Sequence, residues 1–419
     1  MIDFPALLRC ILFALPALVA AGGGARGDSL GSFLPMAIPG FGVAPGVSAR
    51  SRLHSGDFPV PLAPLASAGL EVFPRLAVDA GLDTAPGAGQ GITAMGMVRP
   101  EVRLADPELG LAGFANAELD RYARDPAANA NRVTAALGLA LPFGPDRITL
   151  GAAHVSTAQT ALGLAANGGA APLDVTTDAG RIGLRLGFGA FDATARVRFG
   201  RDRVAAGGAG PAGFGSRAIT RGQVALETAD GAPLRELLLL RAGATRYAGA
   251  LPGSGFADSS SLAVLAGGVT GARALWRLRV VGGAEWIRYA EGGPASGIAV
   301  VGDLALQWTP DPLIAVDLDL SRRAGADGGF GVPGSILTTE RLGLAESYAR
   351  DLLFTVDVAA RQGRVSGHAA TEADVTAGAL WRLSRAVSFR PSASFALRHD
   401  LPGSAPHEAR LMLSLVWTP

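Results

Sequence analysis

Residues 274–290 read ALWRLRVVGGAEWIRYA. Arg277, Arg279 and Glu285 share one parity, whereas Trp276, Leu278, Val280 and Trp286 share the other. Successive side chains of a strand point to opposite faces, so the stretch reads as one strand with a polar and an apolar side. A helical period would scatter the same charges around a cylinder. The two tryptophans bracket the apolar row, with Tyr289 beside the second. At ~3.3 Å per residue and a tilt near ~45°, the steps between them rise roughly 23 Å, close to the ~25 Å apolar band of a transmembrane barrel. Amphipathic rings settle where hydrocarbon meets water, which suits both positions.

The same alternation recurs along the chain. Ile314, Val316, Leu318 and Leu320 oppose Asp317, Asp319, Ser321 and Arg323. Ala193, Ala195, Val197 and Phe199 oppose Asp192, Thr194, Arg196 and Arg198. Ile182, Leu184, Leu186 and Phe188 oppose Arg181 and Arg185, and Val387, Phe389, Phe395 and Leu397 oppose Arg390 and Arg398. Long connections rich in Gly, Ala, Pro and Ser fall near 84–92, 124–130, 157–173, 203–216, 249–258, 290–296, 323–335, 363–371 and 399–406. Tight ones fall between them, near 106–108, 144–146, 189–190, 230–232, 271–272, 309–312, 350–351 and 385–386. This rhythm predicts an all-β fold: a transmembrane up-and-down antiparallel β-barrel over 70–419 of about 18 strands (16–18), with short periplasmic turns and longer extracellular loops. All five tryptophans take the apolar parity. Trp276, Trp308, Trp381 and Trp417 fall near tight turns or the C-terminus and Trp286 at the opposite end, as an aromatic girdle would. A secreted solenoid or sandwich would show a fixed repeat or strands nearer ~5–6 residues, and neither is present.

Composition agrees. The 419 residues are 49% hydrophobic and 17% charged, too apolar for disorder. The formal net charge of +1 offers no basic excess for nucleic acid. Arg9 precedes an apolar run from Cys10 to Val19 and then small residues, so 1–25 read as an export signal. Cys10, the single cysteine, lies inside it, which leaves no disulfide or thiol chemistry beyond. Residues 26–69, rich in Pro and Gly and without a period, read as a periplasmic tether or as a segment lying inside the barrel.

Motifs for chemistry are missing. GAGPAG (208–213) and GFGVPG (329–334) match a dinucleotide-binding spacing but fall in expected loops, not between strand and helix. The five histidines show no paired metal-ligand spacing, and Ser366 with His368 lacks a third catalytic partner. No enzyme, cofactor or metal is expected. The inward parity carries Arg181, Arg185, Arg196, Arg198, Arg277, Arg279 and Arg390 with Glu285, Asp303, Asp317, Asp319, Asp357 and Asp374 as predicted lumen-lining residues. It also carries Arg99, Arg103, Arg221, Arg241, Arg382 and Arg398 with Asp79, Asp83, Glu101, Glu118, Asp120, Asp192 and Glu227. Such charges either pair along the wall or bias the solutes that pass a water-filled pore. The uncharged loop 157–173 would narrow that pore if it folded inward.

Three stretches carry a family resemblance: PLASAGLEVFPRLAVDAGLDT (64–84), VRPEVRL (98–104) and GLAGFANAELDRYARD (110–125). Through Phe73, Pro74, Leu76, Asp83, Arg99, Pro100, Glu118 and Tyr122 the chain resembles β-barrel porins of Gram-negative bacteria, some of which accompany exopolysaccharide production or export. The resemblance spans about 60–419 and implies an outer-membrane barrel among lipid and lipopolysaccharide, inserted by the barrel-assembly machinery. Such barrels usually end on an aromatic residue; here Leu411, Leu413, Leu415 and Trp417 keep the alternation, with two residues following. The leading expectation is passive passage of small hydrophilic solutes. The alternatives are a partner of polysaccharide secretion and a plugged structural or adhesion barrel.

Overall fold

A computed structural model describes residues 70–84, 91–106, 108–124, 126, 129–144, 146–159, 173–204, 216–228, 234–248, 257–270, 275–290, 295–311, 313–324, 336–349, 351–365, 368–400 and 407–418. The expected signal, the 26–69 segment, both glycine-rich hexapeptides and most of loop 157–173 lie outside these residues.

Eighteen strands follow one another: β1 (Glu71–Asp83), β2 (Thr93–Asp106), β3 (Leu111–Tyr122), β4 (Ala130–Phe143), β5 (Asp146–Gln159), β6 (Leu173–Phe188), β7 (Phe191–Val204), β8 (Ser216–Thr228) and β9 (Leu234–Ala248). Then come β10 (Ser259–Thr270), β11 (Trp276–Tyr289), β12 (Gly297–Asp311), β13 (Ile314–Ala324), β14 (Ile336–Ala349), β15 (Leu352–Val365), β16 (His368–Arg382), β17 (Val387–His399) and β18 (His407–Trp417). Each pairs antiparallel with the next, and β1 pairs with β18, from Leu76↔Trp417 to Asp83↔Arg410. The sheet therefore closes on itself and leaves no free edge.

Two sequence expectations need correction. The connection expected to be long at 363–371 is a two-residue hairpin, because β15 and β16 stay paired up to Val365↔His368. Tyr289, placed beside Trp286 at the lipid interface, is buried on the inner face, since its parity is that of Arg277 and Glu285.

The outer face explains why the barrel belongs in a bilayer. Val280, Leu413, Leu415, Val197, Phe199, Leu238, Leu240 and Val264 all stand exposed there. A continuous apolar girth of this kind is not sustainable in water, and a closed barrel is one of the two structures that satisfy every backbone group in hydrocarbon. No helix among the described residues is long and apolar enough to cross a membrane, so the crossing is made by strands. All five tryptophans turn outward. Trp276 lies opposite Trp308, Trp381 opposite Phe389, and Trp417 opposite Leu76 and Val387, all at the end of the short turns. Trp286 marks the other rim.

β10 and β11 approach each other closely at two glycines. A Cβ on Gly267 would sit 1.9 Å from the Val280 carbonyl oxygen, and one on Gly283 1.9 Å from that of Val264. Only glycine permits this approach, because any side chain at either position would meet the backbone of the neighbouring strand. Gly283→Val is expected to destabilise the barrel by about 1–3 kcal/mol, the usual range for overpacking. The urea midpoint of folding into lipid vesicles measures it, and an unchanged midpoint would show that the close approach tolerates a side chain.

Candidate functional site: the inner wall

Every charged residue predicted to line the lumen shares the inner parity, opposite the exposed apolar row. Side-by-side pairing groups them into sectors that linear sequence does not show.

The first sector surrounds the seam, from β16 through β18 and β1 to β4. Here the charges interlock. Arg398 bonds Glu372 at 2.9 Å and Glu408 at 2.9 Å, with all three side chains buried. Arg410 reaches Asp83 at 3.2 Å and the Tyr122 hydroxyl at 2.9 Å. Arg99 grips Asp79 through two nitrogens at 2.8 and 2.9 Å, and Ser414 donates to the same carboxylate. Arg132 bonds Glu118 at 2.8 Å and also Asp120. Arg75 and Arg103 share Glu101. Arg390 stands within electrostatic reach of Arg75 and Arg99. Those of the pairs that are buried and cross from strand to strand, above all Arg398–Glu372, Arg398–Glu408 and Arg410–Asp83, hold strands in register.

The second sector, β5–β8, is dominated by arginine. Arg181, Arg198 and Arg221 stand shoulder to shoulder on three adjacent strands. Arg147 lies opposite Arg185, and Arg196 sits on the next row. The acids here are fewer: Asp192 pairs with Arg185 at 2.8 Å, Asp202 with Arg217 at 2.6 Å, and Glu227 with Arg235 on β9 at 3.1 Å. Like charges set side by side repel, so this stretch of wall carries a concentrated positive field. Arg279 on β11 lies within electrostatic reach of Arg196 on β7, which extends the basic surface around the wall.

The third sector, β11–β16, mixes acids and arginines in nearly equal number. Arg277 begins a row that continues through Gln307 and Asp317 to Gly343 and Asp357. Arg279 begins the next row, which runs through Ala305, Asp319, Arg341 and Ala359 to Asp374. Arg341 bonds Asp357 at 3.0 Å.

Between the second and third sectors lies an apolar floor that the alternation did not foretell. Leu237, Leu239, Ala263, Leu265, Val281, Ile287, Tyr289 and Val301 form one buried cluster on the inner face. Gly267 and Gly283 leave the space in which Leu265 and Val281 pack. Arg241 on β9 passes over this floor to Asp303 on β12 at 2.5 Å, and Arg323 lies 3.7 Å from the same carboxylate. Glu285 accepts from the Ala324 backbone N–H at 3.3 Å and is buried.

Sequence reasoning named Arg398 but not its partners Glu372 and Glu408, nor Arg410. Extending the parity of Leu411, Leu413 and Leu415 backward along β18 would have placed Glu408 and Arg410 inside. Among the described residues no group of His, Asp or Glu is arranged to hold a metal ion.

No protein-family model matches the sequence, and no curated protein is similar to it. Solved structures of outer-membrane barrels are similar in outline. OccK2 (OpdF) of Pseudomonas aeruginosa is 13% identical, with 83% of this chain and 98% of that one covered at a TM-score of 0.43. The anion-selective porin of Comamonas acidovorans is 14% identical, with 84% and 99% covered at 0.37. The FrpB iron transporter of Neisseria meningitidis is 11% identical at 0.39, and the match takes in 64% of that longer chain. The closed barrel is shown by the strand pairings of this chain.

Proposed function

We propose that this chain is an outer-membrane channel through which small hydrophilic solutes pass passively, with a preference for anions. The observation that carries the reading is the row Arg181, Arg198 and Arg221 on the inner wall of a closed barrel whose outside is apolar. A barrel of about 16–18 strands is wide enough for an aqueous path. Fixed charges along such a path raise the local concentration of the opposite ion and select by sign. In this reading residues 1–25 export the chain, and the charges from Arg181 to Arg390 named above line the solute's route.

Single-channel recording in a planar bilayer tests it. Discrete conductance steps are expected, with a reversal potential on the anion side under a salt gradient. Arg198→Glu is expected to lower the anion-to-cation permeability ratio several-fold. Folded, heat-modifiable protein that gives no steps would defeat the channel. Current interrupted by low concentrations of acidic polysaccharide would favour the polysaccharide conduit that the sequence resemblance implies.

A further inference from the structure

The outward-facing row is apolar through its middle but charged at both rims; at the rim of the longer connections arginines outnumber the outward acids Asp174 and Asp178, and at the other rim the strand charges are acidic. At the rim of the longer connections, Arg121 on β3, Arg201 and Arg203 on β7, Arg246 on β9, Arg288 on β11 and Arg322 on β13 all point outward and are exposed. At the rim of the short turns the outward charges on the strands are acidic, Asp146, Glu236 and Glu346 among them, and no described arginine on a strand faces outward there. Arg246, Arg288 and Arg322 make no ion pair with any described residue. An uncompensated arginine beside hydrocarbon is costly unless an anion stands at its own depth in the membrane.

One part of this collar is built more fully than the rest. On the outer face of β5–β7, His154 Nδ1 lies 2.7 Å from Asp178 Oδ1, and Arg203 reaches Asp178 Oδ2 at 3.1 Å. Arg201 lies beside them along the same recess. The recess continues toward the membrane centre between Leu137 and Phe199, over Gly180. A Cβ on Gly180 would sit 2.2 Å from the Phe199 ring, so glycine lets that ring lie against the wall and keeps the recess open. A charged head above an apolar slot is the shape of a lipid.

We propose that the collar binds the phosphorylated headgroups of anionic glycolipid in the outer leaflet, and that the β5–β8 recess is its principal seat. Arg201 and Arg203 donate to phosphate, Asp178 holds Arg203 and His154 in position, and the Gly180–Phe199 slot receives an acyl chain. The proposal rests on the outer-membrane reading above. The acidic rim at the other end repels the same headgroups, so the sign difference also fixes which end of the barrel meets them.

The test is native mass spectrometry of the folded full chain in detergent, with added lipid A, dephosphorylated lipid A or inorganic phosphate as probes. The expected result is retention of lipid A, weak retention of the dephosphorylated form, and no competition from inorganic phosphate. Arg201→Gln with Arg203→Gln is expected to weaken retention roughly thirty-fold, about five-fold for each arginine near a charged membrane surface. The Glu236→Gln control is expected to leave it unchanged. Equal retention of both lipid forms, or equal retention by the double variant, overturns the proposal. Heat-modifiability and conductance report the barrel separately: a folded, conducting protein that retains no lipid A overturns the collar alone.

Discussion

Arg398→Leu is expected to destabilise the folded barrel by about 3–5 kcal/mol, the cost of removing one partner from a buried ion pair. Arg398 is 3% exposed, Glu372 2% and Glu408 1%. The guanidinium bridges β16 and β18 from β17, one nitrogen to each acid. Leucine at 398 would remove the buried cation bonded to both carboxylates, and although Arg361 still faces Glu372 across β15–β16, Glu408 would lose the guanidinium that bonds it. The strands would then open or the acids would take up protons. Reversible urea unfolding from lipid vesicles measures the loss. Adding Glu372→Gln and Glu408→Gln to Arg398→Leu is expected to recover much of it, because the buried charge is gone as well as its partner. A loss below about 1 kcal/mol for the single variant would mean that water reaches the triad, as at an exposed pair.

The second large effect lies on the opposite face. Val280 is exposed on the outside of β11, four residues from Trp276 and six from Trp286, so it lies near the middle of the bilayer. Val280→Arg is expected to cost about 2–4 kcal/mol of folding into the membrane, against about 0–1 for a residue near an interface. Leu278, two residues from Trp276, is expected to fall between these limits. Arg279→Leu, one step along the chain but on the inner face, is expected to leave insertion intact and to alter ion selectivity. Equal costs at 278, 279 and 280 would refute the assignment of inside and outside.

The outer half of the architecture was legible because lipid imposes a strict rule on every second residue. In 274–290 that rule alone separates Val280 from Arg279. The inner wall obeys no such rule. In ELLLLRAG (236–243) leucine occupies both parities, so alternation could not reveal that Leu237 and Leu239 build an internal floor. Sector formation was hidden for a different reason. Arg181, Arg198 and Arg221 become neighbours only through strand register, which the order of residues does not display. The hairpin at Val365↔His368 was missed because Gly363 and Gly367 resemble loop punctuation, although pairing continues through the first of them. Arg288 puts a charge on the tryptophan parity of the opening stretch. Its height, two residues beyond Trp286, puts it at the rim where headgroups begin.

Closure of the barrel has a consequence in time. Asp83 and Arg410 are 327 residues apart, yet they bond across the β1–β18 seam. Every other neighbouring pair of strands is also consecutive along the chain and can zip as soon as its hairpin exists. The seam alone must wait for the last strand, and contacts of such long range are the slow ones to form. Until then β1 offers an unpaired edge to any other strand it meets. The burial of Asp83 against Arg410 and Tyr122 thus marks completion: a chain stalled short of β18 keeps that carboxylate solvated and its first strand unclaimed.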